Sequence, residues 1–171
     1  MTIFSSYKFY LNSPDQFDPD LPLTKLRAKG GTMALWHSSV DQYVTRLQAP
    51  SSAVLPILVN LPGYRQSCHI CVYLPTAGLD DQFVTALSEL DCTLASVIEK
   101  FSSSTLIFIK GDMNASAKNK YRHSLVLNLI NKYKLTSIPS RHHTYHHLVG
   151  INGEFDSILH SMCCSTQIVL K

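Results

Sequence analysis

The chain lacks any apolar run approaching the roughly 20 residues that span a bilayer, so no membrane-crossing helix is expected. Its opening, Met1 to Tyr10, is aromatic and polar and holds no apolar stretch followed by a small-residue cleavage site. Secretion is therefore not expected, and an intracellular setting, cytoplasmic or nuclear, is. Charge is scarce: Asp, Glu, Lys and Arg make up 16% of the residues against 45% hydrophobic ones, which argues against a disordered chain. There is no internal repeat and no low-complexity tract. The five cysteines are an odd number, and Cys68-His69-Ile70-Cys71 has no second C-x-x-C to complete a zinc site. On a strand, residues three apart face opposite sides, so these two thiols would point apart. The cysteines read as reduced bystanders rather than a disulfide framework.

What remains is a chain of 171 residues, enough to bury most of its surface around one core. A net charge of +3 and a pI near 8.6 are compatible with a polyanionic partner without requiring one. The eight histidines add positive charge below about pH 6.5.

The first 29 residues look irregular, with one short strand conceivable over Ile3 to Tyr10 and a polar, proline-containing loop over Asn12 to Pro22. After Gly30-Gly31 the texture changes. Met33 to Trp36, Ala53 to Leu61, His69 to Leu74 and Thr105 to Ile109 read as buried strands, with Pro56 hinting at an edge or a bulge. Asp80 and Asp81 sit where a helix start wants negative charge. Phe83, Leu87, Leu90, Leu94, Val97, Ile98 and Phe101 then recur at three and four, predicting a long amphipathic helix. A second helix is expected over Lys118 to Tyr133, burying Leu125, Leu127, Leu129 and Ile130. Three short strands are expected after Pro139: Thr144 to Leu148, Phe155 to His160 and Gln167 to Leu170. Strands, helix, strand, helix, strands is the order of an α/β layered fold.

Three segments could carry chemistry. Ile107-Phe108-Ile109-Lys110-Gly111-Asp112-Met113-Asn114 delivers a carboxylate and a carboxamide to the end of a buried strand, where ligands bind in layered folds. Asp112 can orient a water or hold a hard cation, and Asn114 can donate to a phosphate oxygen. An ordinary Asp/Asn turn explains the tetrapeptide equally well. Tyr73, before Leu74-Pro75, offers a phenol at another strand end, although a half-buried strand aromatic is the plainer reading. Thr144-Tyr145 precedes a strand in which Asp156 stands among apolar residues; a buried carboxylate requires a partner, usually a histidine.

These segments, with the strand Lys29 to Trp36, resemble the endonuclease/exonuclease/phosphatase superfamily, and specifically the apurinic-type endonuclease domain of LINE-class non-LTR retrotransposons. The resemblance covers Gly30 to about His160. Lys29-Gly30-Gly31-Thr32 looks like its glycine-led strand, Tyr73-Leu74-Pro75 its tyrosine motif and Gly111-Asp112-Met113-Asn114-Ala115 its G-D-x-N-A motif. Thr144-Tyr145 and Phe155-Asp156-Ser157-Ile158-Leu159 look like two further motifs. The resemblance implies a sandwich of two mostly antiparallel sheets flanked by helices, here one partial domain over residues 1–171 with residues 1–29 as lead-in and 30–160 as family core. It implies DNA as partner and magnesium or manganese as cofactor, with Asp112 as metal ligand. By the same resemblance Asp112 activates water, Asn114 and Tyr73 bind the scissile phosphate, Asp156 orients a catalytic histidine, and Thr144 supports the pocket.

The departures are as informative. The family's Q-E glutamate has no counterpart, since no glutamate precedes Gly30, and its closing S-D-H is not found before Lys171. A fragment is expected, holding metal weakly or not at all and weak or inactive as an enzyme. One alternative is a dead remnant that binds nucleic acid or a partner; another is a phosphoesterase acting on a non-nucleic-acid ester. Further candidates are discounted. His142, His143, His146 and His147 read as groove-rim or exposed residues, and His160 lies about 13 Å along its strand from Asp156. Lys118, Lys120, Arg122, Lys132 and Lys134 read as a solvated helix face before a phosphate-tracking one.

Overall fold

Alternate residues of the segment Ser67–Tyr73 are buried, Cys68, Ile70 and Val72 on one face and half-buried Ser67, His69, Cys71 and Tyr73 on the other. That period of two is what a pleated strand between two packed layers requires. The computed structural model describes residues 6–12, 31–76, 78–101, 104–116, 118–138, 145–146, 152–153 and 156–161, with side chains as far as residue 136. In chain order the described elements are β1 (Tyr7–Asn12), β2 (Thr32–His37), β3 (Val44–Arg46), β4 (Val54–Val59), β5 (Ser67–Tyr73), α1 (Asp80–Lys100), β6 (Leu106–Asp112), α2 (Lys120–Lys132), β7 (Leu135–Ile138), β8 (Tyr145–His146), β9 (Asn152–Gly153) and β10 (Asp156–Ser161). A 3-10 turn, Ser38–Tyr43, joins β2 to β3.

Six strands form one mixed sheet in the order β3-β4-β5-β6-β10-β7, and β1 pairs with β2 in a second, antiparallel sheet. The six-stranded sheet's one parallel pair, β5 with β6, is connected through α1, as a parallel crossover demands. The remaining pairs of this sheet are antiparallel. The helices cover one face, where Phe83, Leu87, Leu90 and Leu94 of α1 and Val126 and Leu129 of α2 pack on Val54, Ile70, Val72, Ile107 and Ile109. Each such side chain removed from water contributes about 1.5–3 kcal/mol. Against the opposite face, Ala34, Tyr10 and Trp36 of the small sheet pack with Leu55 and Ile57. This is the expected α/β sandwich of two sheets with helices outside.

The details correct several expectations. The lead-in is not irregular throughout, since β1 pairs with β2 over its whole length. Asn12 ends that strand rather than opening a loop: its buried carboxamide donates to the carbonyls of Ser51 and Val54, tying the small sheet to the large one. Pro56 lies in an inner strand, not an edge. Its carbonyl accepts from Leu47, so its nitrogen faces the same side, one position beyond the last β3–β4 pair, Arg46 with Ile57. On α1 the stripe holds except at Ile98, 49% exposed, although Val97 before it and Phe101 after it pack on the core. On α2 Leu127 is 41% exposed, and the buried positions are Arg122, Val126 and Leu129. The strands β3 and β7 were not anticipated. Among the described residues no helix is long and apolar enough to cross a membrane.

Candidate active site at the strand ends

The C-terminal ends of β5 and β6 lie side by side, and their last residues, Tyr73 and Asp112, are paired. Asp112 is paired on its other side with Asp156, the first residue of β10. Three of the residues singled out from sequence therefore occupy one row across three adjacent strands. At about 4.8 Å per strand, the row is about 10 Å wide between backbones. Tyr73 and Asp112 alternate with the helix-facing residues Val72 and Gly111, so both are on the face turned away from α1 and α2.

Gly111 makes this closeness possible. Its φ is +139°, and a Cβ built there would stand 1.9 Å from the carbonyl oxygen of Val72. Only glycine lets β6 press so tightly on β5. Beyond the last pair, the Leu74 N–H donates to the Asp112 carbonyl at 2.9 Å. The chain then turns: the Asn114 N–H donates to Asp112 Oδ1 at 3.0 Å, an Asx turn, and Met113 drops into the core at 4% exposure. Asn114 adopts φ +45°, a conformation asparagine tolerates better than other non-glycine residues, and its Nδ2 donates to the Leu74 carbonyl at 2.7 Å. The carboxamide is thus fixed between the two strand ends, with a second N–H on the same nitrogen.

Behind the site on the same face come the pairs Cys71–Lys110 and then His69–Phe108. His69 stacks on Phe108 with ring centroids 5.0 Å apart and meets the Ser67 hydroxyl at 3.0 Å through Nε2. Burial first, and the Lys110 ammonium second, push its pKa down to about 4, so the ring is neutral at pH 7. Cys68 is in the helix-side core and Cys71 faces the other way, as the strand period dictates. Burial raises both thiols, Cys68 to about 12, and neither is a thiolate ligand in waiting. Among the described residues no group of three His, Cys, Asp or Glu side chains stands together. A closed cage for a soft metal is therefore not built there. Magnesium needs less: one or two carboxylates, with water and substrate phosphate as the other ligands, and the oxygen donor Asp112 fits that requirement.

Thr144 lies outside the described residues, as do His142, His143 and His147. For Tyr145, His146, Asp156 and His160 only the strand register is described, His160 opposite Phe108. The basic segment is the solvated face its sequence suggests, except at Arg122. Lys132 donates to both oxygens of Asp91 at 2.7 Å, and Arg122 is fully buried. Lys118, Lys120 and Lys134 are exposed. Arg122 was the residue sequence reasoning missed. Its spacing of four and seven from Val126 and Leu129 puts it on the buried stripe, and that was the available signal.

No family model matches the chain, and no curated protein matches it. Solved structures do. An endonuclease/exonuclease/phosphatase family protein from Leptotrichia buccalis matches at 10% identity and TM-score 0.51, over 91% of this chain and 60% of that one. The human Nocturnin catalytic domain matches at 14% identity and TM-score 0.54, over 92% and 61%. D. rerio TDP2, in complex with a single-strand DNA product, matches at 11% identity and TM-score 0.56, over 96% and 66%. The chain has the fold of endonuclease/exonuclease/phosphatase family proteins and spans 60–66% of the length of these structures.

Proposed function

We propose that the chain is a metal-dependent phosphodiesterase core, a DNA endonuclease of the retrotransposon kind, with slow turnover. The observation that carries this reading is the row of Tyr73, Asp112 and Asp156 at paired positions, with Asn114 locked beside them. In the proposed chemistry the Asp112 carboxylate orients the attacking water toward phosphorus. The second Nδ2 hydrogen of Asn114 and the Tyr73 hydroxyl donate to non-bridging phosphate oxygens. Asp156 holds an imidazole in register, and Thr144 supports the pocket wall. Asp112 would hold magnesium or manganese, which would supply charge neutralisation during phosphodiester cleavage. Support for DNA as the substrate comes from the motif resemblance and from the single-strand DNA product in the D. rerio TDP2 structure of the same fold.

Slow turnover is expected because, among the described residues, Asp112 belongs to no group of three His, Cys, Asp or Glu side chains that could hold a metal ion. The same fact favours the second reading, a remnant that binds nucleic acid without cutting it. Nicking of supercoiled plasmid in magnesium decides between them, with Asp112→Ala as the paired variant. Nicking that disappears in Asp112→Ala supports the phosphodiesterase; plasmid retention without nicking supports the binder. Hydrolysis of a soluble inositol phosphate with no nicking would move the substrate outside nucleic acid.

A further inference from the structure

Among the described residues Arg122 is the one charged side chain with no exposure at all. Burying a guanidinium is costly unless its donors are used, so its partners identify what it is for. Nε donates to Asp80 Oδ1 at 2.7 Å, one terminal nitrogen donates to the Pro75 carbonyl, and the other donates to the Thr76 carbonyl at 2.9 Å. The guanidinium also lies over the Phe83 ring, 4.4 Å from its centroid. Every one of these partners belongs to Pro75–Phe83, the stretch that begins two residues after Tyr73. Asp80 is largely solvent-facing, with 60% of its side chain exposed, so the two carbonyl bonds are the sheltered part of the arrangement.

The Leu74 carbonyl, just before this stretch, is held by Asn114. Two side chains from the segment after Asp112 thus grip three successive carbonyls after Tyr73. That segment is itself braced: the Asn119 side chain accepts from the Arg122 N–H at 3.3 Å, the Asn119 N–H donates to Ser116 at 2.9 Å, and His123 Nδ1 meets the Ala115 carbonyl at 3.2 Å. We infer that Arg122 is a positioning residue for the candidate site, its planar fork fixing the Tyr73–Thr76 strand end against the Asp112–Asn114 turn. This rests on the phosphodiesterase reading for its consequence in catalysis, but the positioning is measurable without it. Lysine keeps the charge and loses the fork, so it cannot serve Asp80 and both carbonyls together.

The test uses the full chain, isotope-labelled, as wild type, Arg122→Lys and Asp80→Asn. In folded Arg122→Lys the amide resonances of Tyr73, Leu74, Thr76 and Asn114 are expected to shift. Plasmid nicking is expected to lose about 10- to 100-fold in kcat with KM changed by less than about threefold, the mark of misplaced rather than unbound substrate. Resonances that stay in place overturn the inference, as does undiminished nicking. If Arg122→Lys does not fold, Asp80→Asn decides: loss of the carboxylate charge weakens the bond from Nε and moves the same resonances, and their failure to move overturns the inference. A wild type that nicks nothing removes the phosphodiesterase reading, while the resonances still decide the positioning.

Discussion

Gly111→Ala puts a single methyl group where the parallel β5–β6 pairing is tightest. The new Cβ would meet the Val72 oxygen at 1.9 Å, its carbonyl carbon at 3.0 Å and its nitrogen at 3.1 Å, and all three belong to backbone. Val72 cannot swing aside as a side-chain tip could. It is paired in the β5–β6 ladder with Gly111 itself, and its side chain is buried at 3% exposure. Two costs follow. The φ of +139° is denied to alanine, worth about 1–3 kcal/mol. Prising the strands apart is an overpacking strain of about 1–3 kcal/mol. Together they reach about 2–6 kcal/mol, a large share of the 5–15 kcal/mol that typically holds a domain folded.

Gly63→Ala is the matched control, because Gly63 also has a positive φ, +76°, yet a Cβ there meets nothing within 4 Å. Denaturant unfolding of the two variants separates backbone strain from steric contact. Gly111→Ala should lose about 1–3 kcal/mol more than Gly63→Ala, with an unchanged m-value. The surviving folded fraction should also nick DNA poorly, since widening β5–β6 moves Tyr73 away from Asp112. Equal losses for the two alanines would show that the close approach at Gly111 is not what shapes the strand ends.

Three further expectations are simpler to check. Asp112→Ala should abolish magnesium-dependent nicking while leaving far-UV circular dichroism intact; residual nicking at wild-type rate would exclude Asp112 from the chemistry. Iodoacetamide with peptide mapping should label exposed Cys92 quickly in the native protein and Cys68 only after denaturant, because Cys68 is buried and its thiol pKa stands at about 12; equally fast labelling would contradict the core placement. His69 has a folded pKa of about 4, below its ordinary 6.5, so the unfolded chain takes up the proton first as pH falls. Its stabilising effect is therefore complete above pH 6.5 and drains away between 6.5 and 4, about 1–2 kcal/mol after allowing for partial solvent screening. Urea midpoints at pH 7 and pH 4.5 should converge in His69→Gln relative to wild type; an unaltered gap would mean that His69 is not the group responsible.

The long elements were legible because their patterns are local. Phe83 to Val97 repeats at three and four, and Cys68, Ile70 and Val72 alternate, so α1 and β5 announce themselves before any partner is known. The turn Gly111-Asp112-Met113-Asn114 was legible for a different reason: each residue answers a separate backbone demand, glycine for the approach to Val72, aspartate for the Asx turn, asparagine for positive φ. What stayed hidden was non-local or too short. β3 has three residues and β7 four, too few to display a period, and β7 follows a positive-φ residue, Lys134, that carries none of the usual glycine signal. Nothing in the local pattern places β10 between β6 and β7, yet that insertion is what sets Asp156 opposite Asp112.

Arg122 is the one residue of the basic segment that does not lie on its solvated face. A charged residue on an apolar stripe looks like an interruption of the stripe, and counted with Lys118, Lys120 and Lys132 it looks like part of a charged surface. Neither description considers where the carbonyls of a distant turn lie. The connection after Tyr73 leaves three successive carbonyls, Leu74, Pro75 and Thr76, outside the sheet ladder, and backbone acceptors near a core need donors. Asn114 and Arg122, both in the segment after β6, supply them, and the Leu79 N–H adds a bond to Thr76. The charge on α2 is therefore a consequence of how β5 ends, and a basic count made along the helix alone assigns it to the wrong surface.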